Sequence, residues 1–511
     1  MRFIPEERKL GALAMARYSR LILSALAAFV LCSPVPAQQG GGGLGGAVGG
    51  VTGGIGGAVG GITGGVGGAA GGIGGTAGGA LGGIGGTAGG ALGGISGGIG
   101  RIGSGITGIG GNEPGSLAGT LTQSQLGEMM SAIDLDRVYV DASISTWGPE
   151  VLADVRMQRL RALIDANRAT LDRDDDGLPV RRHELIATNP DAVSLGVAAR
   201  AGFGIVRDEV IRELGIRVVT LAIPRRMNVR QAMKSLRRAA PALQVDYNHV
   251  YEPAGGALLP AAGAALAGSI PGRGRLRIAM VDGGVAAHPS LRRASIEQNG
   301  FAGSPQPTGH GTAVGSLLVG EQGPFRGAAR GAQLYVADVY GGKPAAGSAT
   351  TIVRALAWAA SKRPAVVNIS LVGPDNGALA RAVAALRARG IAVTAAVGND
   401  GPAAPHQYPA SYPGVISVTG VDAQGRALPE AGRAADLDFA APGADMAAAL
   451  PGSGFTLVRG TSFAAPLAAA RMAIAGSYQR LAAEARPGKG RVGRGIVCSH
   501  CRTDPKLFRR D

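Results

Sequence analysis

Near-continuous apolar runs mark the last half of the chain: "RIAMV" (277–281), "QLYVADV" (333–339), "AVVNISLV" (365–372), "IAVTAAV" (391–397) and "VISVTGV" (415–421). Ala-rich stretches of helical spacing, such as "GALARAVAALRARG" (377–390), lie between them. Strands apolar at every position are buried on both faces, so this alternation predicts a parallel sheet covered by helices. The region before it reads differently. "HELIAT" is a predicted strand, "DAVSLGVAARAG" a helix, "FGIVRDEV" and "IRVVTLAI" two strands, "NVRQAMKSLRRAA" a helix capped by Asn228, and "LQVDYNHVY" a last strand. That β-α-β-β-α-β order is the split βαβ, ferredoxin-like α+β unit. Apolar residues at helical spacing predict one more helix ahead of it, over "PEVLADVRMQRLRALIDANRATL".

Composition separates these regions from the N-terminal part. Of the 511 residues 88 are glycine, concentrated in residues 38–112, where "GGIGGTAGGAL" at 71–81 recurs unchanged at 82–92. Such a segment has much entropy to lose and few side chains to bury, so it is expected to be a disordered tether. The rival reading is a glycine-zipper surface that self-associates or touches a membrane through its Ile, Val and Leu. Residues 1–37 have the form of a signal peptide, with Arg17 and Arg20 before the apolar run "LILSALAAFVLC" and "VPA" at the cleavage point. Initiation at Met15 would give a more ordinary signal. An exported protein is expected, periplasmic or extracellular. The division that follows is 1–37, 38–112, an α+β unit at 113–253, a small-residue linker at 254–272, the sheet domain at 273–497 and a basic tail at 498–511.

The formal charge of +16 comes mostly from arginines scattered singly, without a basic run interleaved with aromatics, so no nucleic-acid partner is expected. Cys32 would leave with the signal. Cys498 and Cys501 remain as "CSHC", read as a small-loop disulfide, with a zinc half-site including His500 as the other reading. "LDRDDDGLPVRRHE" has Asp172, Asp174 and Asp176 at calcium-loop spacing, but His183 stands where the bidentate acid belongs. An acidic turn is the simpler reading. No metal ligand set and no cofactor are identified; calcium stays open, without a clear site.

Four residues carry candidate chemistry, each at an element terminus. Asp282 ends a strand in "RIAMVDGGV", His310 opens a helix in "GHGTAVG", Asn399 ends a strand in "AAVGNDG", and Ser462 opens a long helix in "GTSFAAP". A serine at a helix start has its own N–H free to stabilise an oxyanion. Pro466 is read as lying in the first turn, where a missing N–H costs nothing. In this constellation His310 takes the hydroxyl proton, Asp282 orients the imidazole, and Asn399 supplies the second oxyanion donor. The chain order Asp, His, Ser is one of three known solutions to that geometry.

On these motifs, residues 276–497 resemble the subtilisin-like serine peptidases (subtilases). "GTSFAAP" fits the family's serine motif in full, "GHGTAVG" its histidine box and "AAVGNDG" its oxyanion box, while "NISLVGP", "YPASYPGVISVTGVD", "FAAPG" and "GRGIVC" resemble further segments. The resemblance implies a parallel, helix-covered sheet and a serine endopeptidase acting on polypeptides. It implies that substrate adds a strand beside Ser370, Leu371, Val372 and Gly373, with a side-chain pocket between "SLVG" and "AAVGN". An apolar or small side chain is expected at the cleaved residue. Residues 184–250 are similar to the family's inhibitory propeptide, which implies a zymogen that cuts itself within 251–275 and its own propeptide as intramolecular inhibitor. Three positions depart from the pattern: Gly283 follows the acid where a hydroxyl is usual, Ala313 replaces a second His, and the Asn-rich calcium loop is missing after His310. His288 is read as structural. The alternative function is a secreted Gly-rich surface or adhesion protein whose peptidase domain processes only its own chain.

Overall fold

A computed structural model of the chain describes residues 149–254, 276–452 and 454–508. The expected signal, the Gly-rich tract, Cys32 and all of the linker beyond Ala254 lie outside the described residues. The first helix, α1 (Pro149–Ala166), presents a buried stripe of Leu152, Arg156, Leu160 and Ile164, one residue per turn. A three-residue strand, β1 (Leu171–Arg173), then turns into β2 (Pro179–Thr188). The acidic loop is that turn. Asp174 Oδ1 accepts from the backbone N–H groups of Asp176 and Leu178, and its Oδ2 meets His249 Nε2 at 3.1 Å. Among the described residues no three His, Cys, Asp or Glu side chains gather as a metal site.

The rest of the α+β layer follows the predicted order: α2 (Ala192–Arg200), β3 (Gly204–Ile211), β4 (Ile216–Ala222), α3 (Val229–Ala239) and β5 (Val245–His249). Its antiparallel sheet runs β3-β4-β2-β5, with β1 also on β2. Asn228 and Gln231 close α3 with a reciprocal capping box, each side chain bonding the other's backbone N–H. One face of the sheet packs on α2 and α3 through Leu185, Leu221, Met233 and Leu236. The other face, with Ile186, Ile216 and Val218, shares a core with the helices of the next layer.

After β6 (Glu252–Pro253) the chain builds the large sheet. Its strands are β7 (Arg277–Asp282), β8 (Ser295–Gly300), β11 (Gln333–Asp338), β12 (Val366–Ile369), β14 (Ala392–Ala396), β15 (Ile416–Val421) and β16 (Phe439–Pro442). The order is β16-β15-β14-β12-β7-β11-β8 and every pairing is parallel. Short pairs lie outside it: β9 (Glu321–Gln322) with β10 (Phe325–Arg326), and β17 (Met446–Ala449) with β18 (Phe455–Val458). The predicted strand "AVVNISLV" is two strands. The chain leaves the sheet at Ser370, and β13 (Leu371–Val372) pairs antiparallel with β6.

One side of the sheet carries α5 (Ala349–Ser361) and α6 (Gly377–Ala388), which also meet the α+β layer; the other carries α4 (Gly309–Val319) and α7 (Thr461–Ala475). A final helix, α8 (Tyr478–Glu484), lies after α7. Cys498 and Cys501 form a disulfide. The segment set apart as a tail packs on the domain, with Phe508 stacked on Phe455 at 4.2 Å between centroids. Truncating Leu236 at the centre of the α3 face is expected to cost about 2–5 kcal/mol; the Leu236→Ala chain should show an earlier denaturant midpoint for the α+β layer, read by tyrosine fluorescence.

Candidate active site

Asp282 ends β7, the strand between β11 and β12 near the middle of the sheet, and is 1% exposed. Its Oδ1 accepts from the N–H of Gly283 at 2.7 Å and lies 2.9 Å from His310 Nδ1. With the carboxylate as acceptor, Nδ1 is the donor of this pair. His310 is the second residue of α4, whose N-cap Thr308 accepts through Oγ1 from the N–H of Gly311 at 2.9 Å. The helix start lies directly on the strand end: a Cβ on Gly311 would overlap the carbonyl oxygen of Gly283 and come within 2.7 Å of that of Gly284. Only glycine allows this approach, which sets the reach from ring to carboxylate.

The Gly283 departure has a physical reason. A Cβ there would overlap the Thr308 hydroxyl and lie 2.7 Å from its Cγ2, so Thr308 fills the space that a larger residue would need. His288 caps a short 3₁₀ turn, bonding Ser290 through Nδ1 and facing the Gly454 carbonyl at 3.0 Å through Nε2.

Ser462 is the second residue of α7 and fully buried. The next residue, Phe463, lies against the His310 ring with centroids 5.2 Å apart, which brings the serine to the same end of the sheet as the histidine. Because α7 begins at Thr461, Pro466 is in its second turn and does remove an i→i−4 bond, the one owed to Ser462 O. This corrects the first-turn expectation. The orphaned carbonyl accepts instead from Ser370 Oγ at 3.0 Å, which ties the serine to the point where β12 breaks.

Asn399 follows β14 with its amide orientation set by Thr461, whose N–H donates to Asn399 Oδ1 at 2.9 Å. Nδ2 therefore faces outward, where it donates to the carbonyl oxygen of Ala254. The chain's own residues 251–254 cross this end of the sheet. Pro253 and Glu252 pair with Leu371 and Val372, and Ala254 N–H donates to Ser370 O at 2.9 Å. Tyr251 is fully buried with its ring over Gly373 and its hydroxyl donating to Pro374 O at 2.7 Å; burial pushes that phenol well above its usual range. Behind Asp282, burial also raises the carboxyl of Asp338, against the pull of N–H groups of Gln306, Tyr340 and Gly341. Burial, then the Asp282 charge, holds the Tyr340 phenol protonated.

The four chemistry-bearing residues thus meet at the carboxyl ends of the strands, where an open parallel sheet places its ligands. A carboxylate–imidazole pair, a hydroxyl at a helix start and an amide on a peptide carbonyl can together perform acyl transfer. Sequence reasoning missed the charged groups beside them. Asp400, next to Asn399, is 4% exposed and paired with Arg156 and Arg159 of α1 at 3.1 Å each. Arg159 also pairs with Glu252 at 3.1 Å. The available signal was Arg156 itself, a charge inside the apolar stripe of its helix.

Comparison with known proteins agrees with this geometry. The subtilase family profile matches residues 274–485. Subtilisin Savinase of Lederbergia lenta is 33% identical over 204 residues, 39% of this chain and 75% of that relative. An alkaline protease of Shouchella clausii is also 33% identical over 204 residues, and there the chain spans only 53% of the relative's length. The crystal structure of fervidolysin from Fervidobacterium pennivorans, described as a keratinolytic enzyme related to subtilisin, aligns with a TM-score of 0.53 at 19% identity, over 65% of this chain and 62% of that one. At that identity the likeness speaks for the fold.

Placing a side chain at position 283 should overpack the site by about 1–3 kcal/mol. Gly283→Ser is expected to lower the thermal unfolding midpoint; a variant as stable as the parent would contradict the packing argument.

Proposed function

The chain belongs to the subtilase family of serine peptidases, and on that footing we propose that Asp282, His310 and Ser462 are its catalytic triad, with Asn399 in the oxyanion hole, in an exported endopeptidase made as a self-processing zymogen. Ser462 Oγ attacks the peptide carbonyl carbon while His310 Nε2 takes the hydroxyl proton. Asp282 holds the Nδ1–H and stabilises the imidazolium that forms. The negative oxygen is met by Asn399 Nδ2 and the N–H at the start of α7. His310 then protonates the leaving amine, leaving an ester on Ser462. Water attacks that ester with His310 again as base, which releases the acid and restores the serine.

One observation carries this reading. The carbonyl of Ala254 sits on Asn399 Nδ2 while the residues before it pair as a strand with Leu371 and Val372, the disposition of a peptide about to be cut. It supports the Ala254–Gly255 bond as the self-processing site and the α+β layer, ending in residues 251–254, as the propeptide that fills the cleft. Polypeptides other than its own chain are the substrates of the mature form. The sequence features of residues 1–37 support export, and among the described residues no helix is long and apolar enough to cross a membrane.

N-terminal sequencing of the matured protein should begin at Gly255. Ser462→Ala should stay unprocessed, take no label from a serine-reactive phosphonate and lose casein hydrolysis on the order of 10⁶-fold, the scale of a removed nucleophile in a subtilisin. Asn399→Ala should still label slowly, with kcat lowered on the order of 10²–10³-fold. Labelling of the Ser462→Ala chain would overturn the assignment.

A further inference from the structure

The buried stripe of α1 is apolar at Leu152, Leu160 and Ile164 but holds a guanidinium at Arg156, which is 5% exposed. A buried charge is costly unless fully paired, so its partners say what the surrounding site is built to hold. Its Nε lies 3.1 Å from Asp400 Oδ2, and one terminal nitrogen donates to Gln407 Oε1 at 3.4 Å. Both partners are themselves buried, at 4% and 2% exposure. Asp400 adjoins the residue whose amide holds the Ala254 carbonyl. Gln407 lies between the two walls of the cleft, since the Cβ position of Gly398 is 3.3 Å from Gln407 Cγ and 3.5 Å from Val372 Cγ1. The guanidinium therefore ends in the slot beside the cleaved residue, between "SLVG" and "AAVGN".

Ala254 leaves that slot open, because its side chain is a single methyl. The chain's own segments thus act as two halves of one substrate: residues 251–254 supply the backbone, and Arg156 the side chain. Every charged partner of Asp400 among the described residues is on α1, Arg156 at one oxygen and Arg159 at the other. The nearby buried acid Glu430 is different, being paired within its own domain to Arg459 at 2.8 Å. When α1 leaves with the propeptide, Asp400 loses its counter-ions and Glu430 does not.

We propose that the primary side-chain pocket of the mature peptidase is an arginine site, with Asp400 pairing the guanidinium, Gln407 accepting at its far end, and Arg156 as the built-in occupant of the zymogen. The proposal rests on the peptidase reading above and replaces the apolar or small preference expected from sequence. The self-cut after alanine does not conflict with it. The self-cut is intramolecular and its backbone is already held in place by Leu371, Val372, Ser370 and Asn399, so the cis cut needs no side-chain recognition. Arg156 uses two nitrogens on two acceptors, a fork that lysine lacks, so arginine should be preferred over lysine.

The test uses the full chain after self-processing, with fluorogenic peptides that differ only in the residue before the scissile bond. Wild type should cleave the arginyl peptide with kcat/KM about ten- to hundredfold above the leucyl one, the scale of hydrogen bonds to a charged group. Lysine should fall between, and Asp400→Asn should bring arginine to within about threefold of leucine. Should Asp400→Asn fail to mature, wild type alone decides: an arginine peptide aldehyde should protect Ser462 from phosphonate labelling at concentrations at least tenfold below its leucine counterpart. Equal or better use of leucine, or equal protection, in an enzyme that labels at Ser462 overturns the arginine pocket and leaves the peptidase standing. No labelling and no cleavage of any peptide overturns both.

Discussion

The contact on which the site depends is the 2.9 Å approach of the His310 ring to the Asp282 carboxylate. It exists because the first turn of α4 rests on the end of β7 without a side chain between them. Gly311 and Gly283 leave the space, and Thr308 takes it up while capping the helix that carries the histidine. The two remaining groups are positioned from the same sheet end. Ser370 holds the carbonyl that Pro466 leaves unpaired, and Thr461 turns the amide of Asn399 outward. Each functional group is thus oriented by a backbone or hydroxyl contact from a neighbouring element, and the 15-residue α7 carries the serine as its second residue.

The second organising feature is the strand of residues 251–254. Its backbone groups would be unsatisfied if it merely lay over the sheet, and they are met by β13, Ser370 and Asn399. Tyr251 anchors it upstream, with its carbonyl accepting from Tyr340 and its hydroxyl donating to Pro374. The α+β layer is held on α5 and α6 by a shared apolar core and by paired amides, Asn248 with Thr350 and Asn376 with the Tyr247 carbonyl. Helix α1 adds the charged contacts at the opposite wall. One cleft is therefore closed by a strand, an apolar layer and an ion-paired helix drawn from three separate stretches of the chain.

Much of this was legible in the sequence, for local reasons. Central parallel strands announce themselves because both faces must be apolar, and five of the seven were read directly. The two that escaped are the sheet edges: β8, "SIEQNG", has four polar residues among its six and only one neighbouring strand, and β16 is only four residues long. The candidate acid, imidazole, amide and hydroxyl could be picked out because each sits at an element end flanked by small residues. Pro466 was placed one turn too early, since a helix start is a matter of where the chain makes its first bonds and not of residue type alone.

The sequence by itself determined the order of elements, the Asn228 cap and the four residue types at strand and helix ends, all of which follow from short-range periodicity and backbone chemistry. Tertiary structure decided what those residues meet: Thr308 in the space beside Gly283, Ser370 on the Ser462 carbonyl, and above all Arg156 against Asp400, 244 positions apart by their numbers. The reason is physical. A buried charge is stable only beside its counter-charge, and nothing in the local pattern around either residue says which distant segment will supply it.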